Sequence, residues 1–167
     1  MGMKYVVLFV VVIGIAWASL KFIGQSETTD SMETDVAAVL EPLHWSTNFE
    51  AALLEARASG KFMMIFFTGS DWCPPCIALD REVLSKKAFQ DFAREHLVLV
   101  KVDEPEGYTL EESVRLQNER LNVSYRVFFR YPTVILADSE GIEIARTSYR
   151  MGGAKRYVKH LKSLLGL

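Results

Sequence analysis

Cysteine is scarce in this chain of 167 residues: Cys73 and Cys76 are the whole complement. That scarcity excludes a separate structural disulfide beside any pairing of these two, and it leaves no cysteine near the N-terminus to carry a lipid anchor. Histidine is nearly as sparse. His44, His96 and His160 stand at no ligand spacing from one another or from the cysteine pair, so no metal is expected, zinc needing a full tetrahedral set. Ile77, not histidine, follows the second cysteine, which removes the haem-attachment pattern. A basic patch is also missing: the net charge is -2, the lysines and arginines are spread along the chain, and nucleic acid is not an expected partner. Internal repeats and low-complexity tracts are absent from the part that follows the leader.

What is present divides the chain unequally. Tyr5 to Leu20 is uncharged and lies between Lys4 and Lys21, but it is shorter than the roughly 20 apolar residues that span a bilayer. With a basic start and Ala16-Trp17-Ala18 before Ser19, residues 1–24 are expected to be a signal peptide, or in the alternative an uncleaved membrane anchor. Either places the rest outside the cytoplasm, in the periplasm, with the membrane touched only through this segment. Residues 25–42 are polar and poor in aromatics, as a linker is. Residues 43–167 are long enough to bury a substantial core and form the expected functional domain.

Within that domain Thr47-Asn48-Phe49-Glu50 has the form of a capping box, opening a helix that ends at Ser59-Gly60. Phe62 to Phe67 is a continuous apolar run, the pattern of a strand buried on both faces. A helix is expected from Cys73 through Val83-Leu84, then a second, capped by Ser85, through Phe89, Phe92 and Ala93. Leu97 to Val102 is another buried-type strand, Thr109 to Leu121 a helix, Thr133 to Ala137 and Ile142 to Arg146 a hairpin about Asp138–Gly141, and Ala154 to Leu165 a closing helix. The alternation implies an α/β fold with a central mixed sheet covered by helices on both sides.

The cysteines lie where that strand gives way to a helix. A thiol at the first turn of a helix has its thiolate favoured by the helix dipole, lowering its pKa from about 8.5 toward 7. Cys73 is therefore the expected nucleophile and Cys76, one turn further in, the resolving thiol. Pro74 and Pro75 suit a first helical turn, where the N–H they lack would have no partner, yet they withdraw two donors from the thiolate. No histidine stands between the cysteines. The inference is a moderate pKa depression and a reducing bias.

Phe67-Thr68-Gly69-Ser70-Asp71-Trp72-Cys73-Pro74-Pro75-Cys76 resembles the active-site stretch of the thioredoxin superfamily, and Tyr131-Pro132-Thr133 its cis-proline loop. Val100-Lys101-Val102-Asp103 and Glu140-Gly141 match as well. The resemblance implies a thioredoxin fold, here with an inserted helix before the cis-proline loop, and a redox-active pair Cys73/Cys76. Pro132 would align the substrate backbone, with Trp72, Tyr131 and Thr133 beside it. The leader and the Phe-Thr-Gly-Ser-Asp-Trp form are most similar to periplasmic disulfide reductases and isomerases of the Dsb type, the DsbH-like group in particular. That similarity implies exported disulfide-containing proteins as substrates, a membrane electron donor of the DsbD type as reductant, and no cofactor.

Two departures from the pattern stand out. Many thioredoxins place a buried acid on the strand before the motif, whereas Phe66 and Phe67 occupy that region here. Asp80, four residues after Cys76 on the same helix face, is a candidate replacement as proton acceptor, with Asp71 a second; the alternative for Asp80 is a solvated surface acid. The segment 104–130 is long, and either shapes a partner surface or extends the scaffold. A disulfide-introducing oxidase, a reductase for cytochrome c maturation and a non-catalytic chaperone remain open beside the reductase or isomerase. A monomer is expected, since residues 25–42 hold no evident dimerisation module.

Overall fold

The computed structural model describes residues 42–167, of which Leu43–Leu167 form one compact unit. The leader, and the linker up to residue 41, lie outside the described residues. The element order is β1 (Trp45–Ser46), α1 (Phe49–Ser59), β2 (Phe62–Thr68), α2 (Pro74–Leu79), α3 (Lys87–His96), β3 (Leu97–Asp103), α4 (Glu112–Ser124), β4 (Thr133–Ala137), β5 (Glu143–Thr147) and α5 (Gly153–Leu165). The strands lie in the order β1-β3-β2-β4-β5. β1 and β2 run parallel to β3, while β4 runs antiparallel to both β2 and β5.

β2 explains the architecture. Its side chains alternate across the sheet, and both sets are apolar because both faces are covered. Met64 and Phe66 pack with Leu79, Phe89, Tyr157 and Leu161, whereas Met63, Ile65 and Phe67 pack with Ala52, Ala56 and Leu121. Each such large side chain contributes about 1.5–3 kcal/mol on burial, so this central strand anchors two cores at once. The covered mixed sheet agrees with the arrangement anticipated from the residue pattern, and the segment between β3 and β4 holds a helix.

Several boundaries differ from expectation for local reasons. The cap of α1 is Asn48 rather than Thr47: its carboxamide oxygen accepts the Ala51 N–H at 3.0 Å, and Gln117 Oε1 accepts the Phe49 N–H at 2.8 Å. Gly60, at φ 68°, closes the same helix in the left-handed region that glycine enters freely. Ser85 does not cap α3. It ends a wide π-type turn, Asp80–Leu84, with its N–H on Asp80 O at 2.9 Å and its hydroxyl on Arg81 O at 2.9 Å; Lys86 precedes α3 without a side-chain cap. α4 starts three residues after Thr109, at Glu112, where Arg115 pairs with Glu112. β5 begins at Glu143 because Asp138 Oδ1 takes the Ile142 N–H into the turn at 2.9 Å. β1 was not anticipated, since two residues carry no periodicity.

The register then sets the site. Phe67 of β2 faces Thr133 of β4 and Thr68 faces Asp103 of β3. The C-terminal end of β2, which feeds the cysteines, therefore meets the start of β4, which Pro132 precedes, and the end of β3.

Candidate active site

Cys73 and Cys76 are joined as a disulfide, with their Cα atoms 5.3 Å apart. Cys73 holds the cap position of α2 in extended backbone, its N–H on Gly69 O at 2.9 Å, and Pro74 and Pro75 fill the first two helical positions. A capping side chain ordinarily receives an N–H from the second or third residue of the helix. The second here is Pro75, which has none, and the third is Cys76, whose N–H is spent on Cys73 O at 3.0 Å. No side-chain cap bond reaches Cys73, so the helix dipole acts on its sulfur without a local donor. Both cysteines are buried in the same cluster, at 3% and 1% exposure, so shielding does not tell them apart; their positions on the helix do.

Trp72 lies over the loop. Its indole Nε1 donates to Glu104 O at 2.6 Å, its ring stands 6.0 Å from that of Tyr131, and it is 41% exposed. The ring rests directly on Gly69: a Cβ there would meet Trp72 Cε2 at 2.3 Å, so only glycine leaves it room. Asp71 accepts the N–H groups of Gly107 at 2.6 Å and Glu106 at 3.1 Å, and the Gly107 bond holds its carboxyl below the usual carboxylate range. Asp71, anticipated as a weaker proton acceptor, thus ties down the segment after β3. Asp103, buried at the end of β3, accepts from Ser70 N at 2.9 Å, Ser70 Oγ at 2.6 Å and the Tyr108 hydroxyl at 2.9 Å. The motif loop is consequently fastened to the end of β3 and to the segment that follows it.

The peptide between Tyr131 and Pro132 is cis, and Pro132 is buried with its carbonyl accepting the Ser148 hydroxyl at 2.7 Å. Tyr131 packs against both core clusters, and burial raises its hydroxyl pKa to about 12, leaving it neutral at pH 7. Thr133 donates its hydroxyl to Arg130 O at 2.6 Å. The preceding turn is strained: Arg126, Phe128 and Phe129 have φ of 53°, 51° and 58°, the left-handed region that non-glycine residues avoid. Asn122, 1% exposed, clamps this turn. Its Oδ1 accepts the Phe129 N–H at 3.0 Å, its Nδ2 donates to the Tyr131 hydroxyl at 2.8 Å, and its own carbonyl accepts the Val127 N–H at 2.9 Å. Phe128 and Phe129 stay 58% and 65% exposed, and the Phe129 ring stands 6.4 Å from Tyr131. Phe129, Tyr131 and Trp72 form an unbroken aromatic rim leading to the dithiol.

The acids separate. Asp80 is exposed at the start of the π-type turn, its backbone N–H on Cys76 O, one turn beyond that cysteine. Glu104, not singled out by the residue pattern, is half-buried with Oε1 lacking a hydrogen-bond partner; burial first, then Glu119 and Asp103, push its carboxyl above the usual range. Asn122 was also missed. The available signal was Asn118 and Asn122, polar residues one turn apart that flank Leu121, with Asn118 Nδ2 donating to Asp103 O at 2.8 Å.

A family profile described as thioredoxin-like matches residues 44–139. Among curated proteins, the disulfide bond reductase DsbH of Chlamydia pneumoniae is 37% identical over 125 residues, covering 75% of this chain and 74% of that protein. The solved structure of a DsbH oxidoreductase matches with a TM-score of 0.73 and 32% identity, over 87% of this chain and 93% of its own. A thioredoxin from Thermus thermophilus matches with a TM-score of 0.56 at 20% identity, over 75% and 88% of the two chains, and shares the fold.

Proposed function

The chain belongs to the thioredoxin-like family, with a mixed five-stranded sheet of the thioredoxin fold; it is a Dsb-type thiol:disulfide oxidoreductase, and we propose that it works in the reducing direction, as a reductase or isomerase of exported proteins in the periplasm. The observation that carries this direction is the environment of Cys73. Two prolines and one occupied amide deny its thiolate the donors a helix start usually offers, while the dipole remains. A strongly stabilised thiolate would make the reduced form too stable to give up electrons readily; a moderately stabilised one favours donation.

In the reduced enzyme the Cys73 thiolate attacks one sulfur of a substrate disulfide, forming a mixed disulfide and expelling the other substrate sulfur as a thiolate that takes up a proton. Cys76, deprotonated, then attacks the Cys73 sulfur and releases the second substrate thiolate. Two electrons pass to the substrate, and the Cys73–Cys76 disulfide is left. Pro132 aligns the substrate backbone, Trp72 and Tyr131 offer apolar contact, and Thr133 fixes the loop through Arg130 O. Asp80 accepts the Cys76 proton through water in this scheme. A membrane electron donor of the DsbD type re-reduces the pair, and residues 1–24 export or tether the domain.

The test is trapping. Cys76→Ser should accumulate mixed disulfides with exported proteins through Cys73, and Cys73→Ser should accumulate none while losing disulfide reduction in an insulin assay. Equal activity of Cys73→Ser and the unaltered protein would overturn the assignment.

A further inference from the structure

Behind Pro132, on the side of the edge strand β5, lies an open cleft of about 550 Å3. Pro132, Arg130, Arg146, Thr147, Arg150 and His160 line it. Arg146 is spoken for, paired with Glu143 at 2.6 Å and donating to Tyr125 O at 2.9 Å. The other two guanidiniums are not: no carboxylate pairs with Arg130 or Arg150 among the described residues, and Arg130 offers only Nε to Val127 O at 3.3 Å. His160 shares a hydrogen with Thr147 Oγ1 at 2.9 Å, and burial followed by Arg150 lowers its pKa, so it adds little charge at pH 7. The Ser148 hydroxyl bound to Pro132 O fixes the cleft to the cis-proline loop. Two unpaired cations therefore face a preformed hollow that is continuous with the substrate-aligning proline, in a chain whose net charge is negative.

We propose that this cleft receives an acidic side chain of the polypeptide substrate, close in sequence to the cysteine that forms the mixed disulfide, and so biases the enzyme toward acid-flanked disulfides. The proposal rests on the oxidoreductase reading and names its substrate preference. Guanidinium matches a carboxylate in planar, two-bonded geometry better than ammonium does. The hollow begins at Tyr131 and Pro132, so it adjoins the aromatic rim that Tyr131 forms with Trp72 and Phe129.

The experiment compares kcat/KM of the full chain on three disulfide-linked peptides that are identical except for one residue near the cysteine: aspartate, asparagine or lysine. Exposed ion pairs of this kind are weak and screened by salt, so the aspartate peptide should exceed the lysine peptide by about three- to tenfold at low salt, and the ratio should shrink at high salt. Arg130→Glu with Arg150→Glu should invert the aspartate-to-lysine ratio, a readout that a general loss of folding does not produce. Equal rates for aspartate and lysine peptides, or an unchanged ratio in the double variant, would overturn the preference while leaving the reductase reading intact. Failure of all three peptides, the asparagine one included, would overturn that reading and the preference with it. If oxidised glutathione alone responds to the double variant, the cleft serves a small anion and the polypeptide assignment is wrong.

Discussion

Replacing Asn122 by leucine removes the clamp on the turn before Pro132 while keeping the buried volume broadly similar. Two side-chain hydrogen bonds disappear, to the Phe129 N–H and to the Tyr131 hydroxyl. At about 0.5–1 kcal/mol net for each, and with about 1–2 kcal/mol more for an amide left without its partner, the loss is about 2–4 kcal/mol. For a domain of this size that corresponds to a fall in Tm of roughly 8–16 °C. The left-handed residues Arg126, Phe128 and Phe129 then have less to hold them, and sites of this kind persist only where surrounding bonds over-determine them. Urea unfolding followed by tryptophan fluorescence measures the stability, and insulin reduction measures the consequence for the loop. Asn122→Asp provides the control: its oxygen still accepts from Phe129 N, and the Tyr131 hydroxyl can turn to donate, so it should lie between the two. An Asn122→Leu variant within about 0.5 kcal/mol of the unaltered protein, with unchanged activity, would refute the clamp, since that is the spread expected of substitutions that disturb nothing.

Other perturbations follow from the same geometry. Gly69→Ala should force Trp72 off the loop and cost about 1–3 kcal/mol, with a shift in tryptophan emission and slower exchange; an unmoved emission maximum would contradict the 2.3 Å approach. Phe128→Gly relieves a left-handed backbone at a ring that is 58% exposed, so it should gain about 0.5–1 kcal/mol in urea unfolding, and an unchanged or lower stability would contradict the strain. Glu104 has a folded-state pKa above its unfolded one, so its protonated form is the one folding favours, and its contribution is lost as pH rises through the folded value. Glu104→Gln should therefore be more stable than the unaltered protein at neutral pH, with the difference closing below about pH 4.5, as read by thermal unfolding across pH.

The parts of the fold legible from residues alone were those encoded by local pattern. The apolar run of β2, the hairpin turn at Asp138 and the two proline-bearing loops each advertise themselves within a few positions. Cys73 and Cys76 stood out for the same reason, Pro132 through the resemblance of its loop to the superfamily's cis-proline loop, and the structure brings these loops to one end of the sheet. What escaped was set by distant partners. Asn48 rather than Thr47 caps α1 because Gln117, far along the chain, claims the Phe49 amide. The π-type turn ends the helix pattern at Ser85, which sequence periodicity of ordinary helical pitch does not register. Asn122 and Glu104 gain their importance from burial beside Tyr131 and α4, and Gly69 from a tryptophan ring lying on it. The arginine cleft joins residues from the turn before β4, from β5 and from α5, which no window of sequence unites.

The most direct test of the central claim is the equilibrium reduction potential of the Cys73/Cys76 pair, titrated against glutathione and thioredoxin in protein lacking residues 1–24. A thiolate served by the helix dipole but denied amide donors by Pro74 and Pro75 predicts a value near that of thioredoxin, about -270 mV. A value near about -120 mV would describe a strong oxidant and contradict the reducing role assigned to this site.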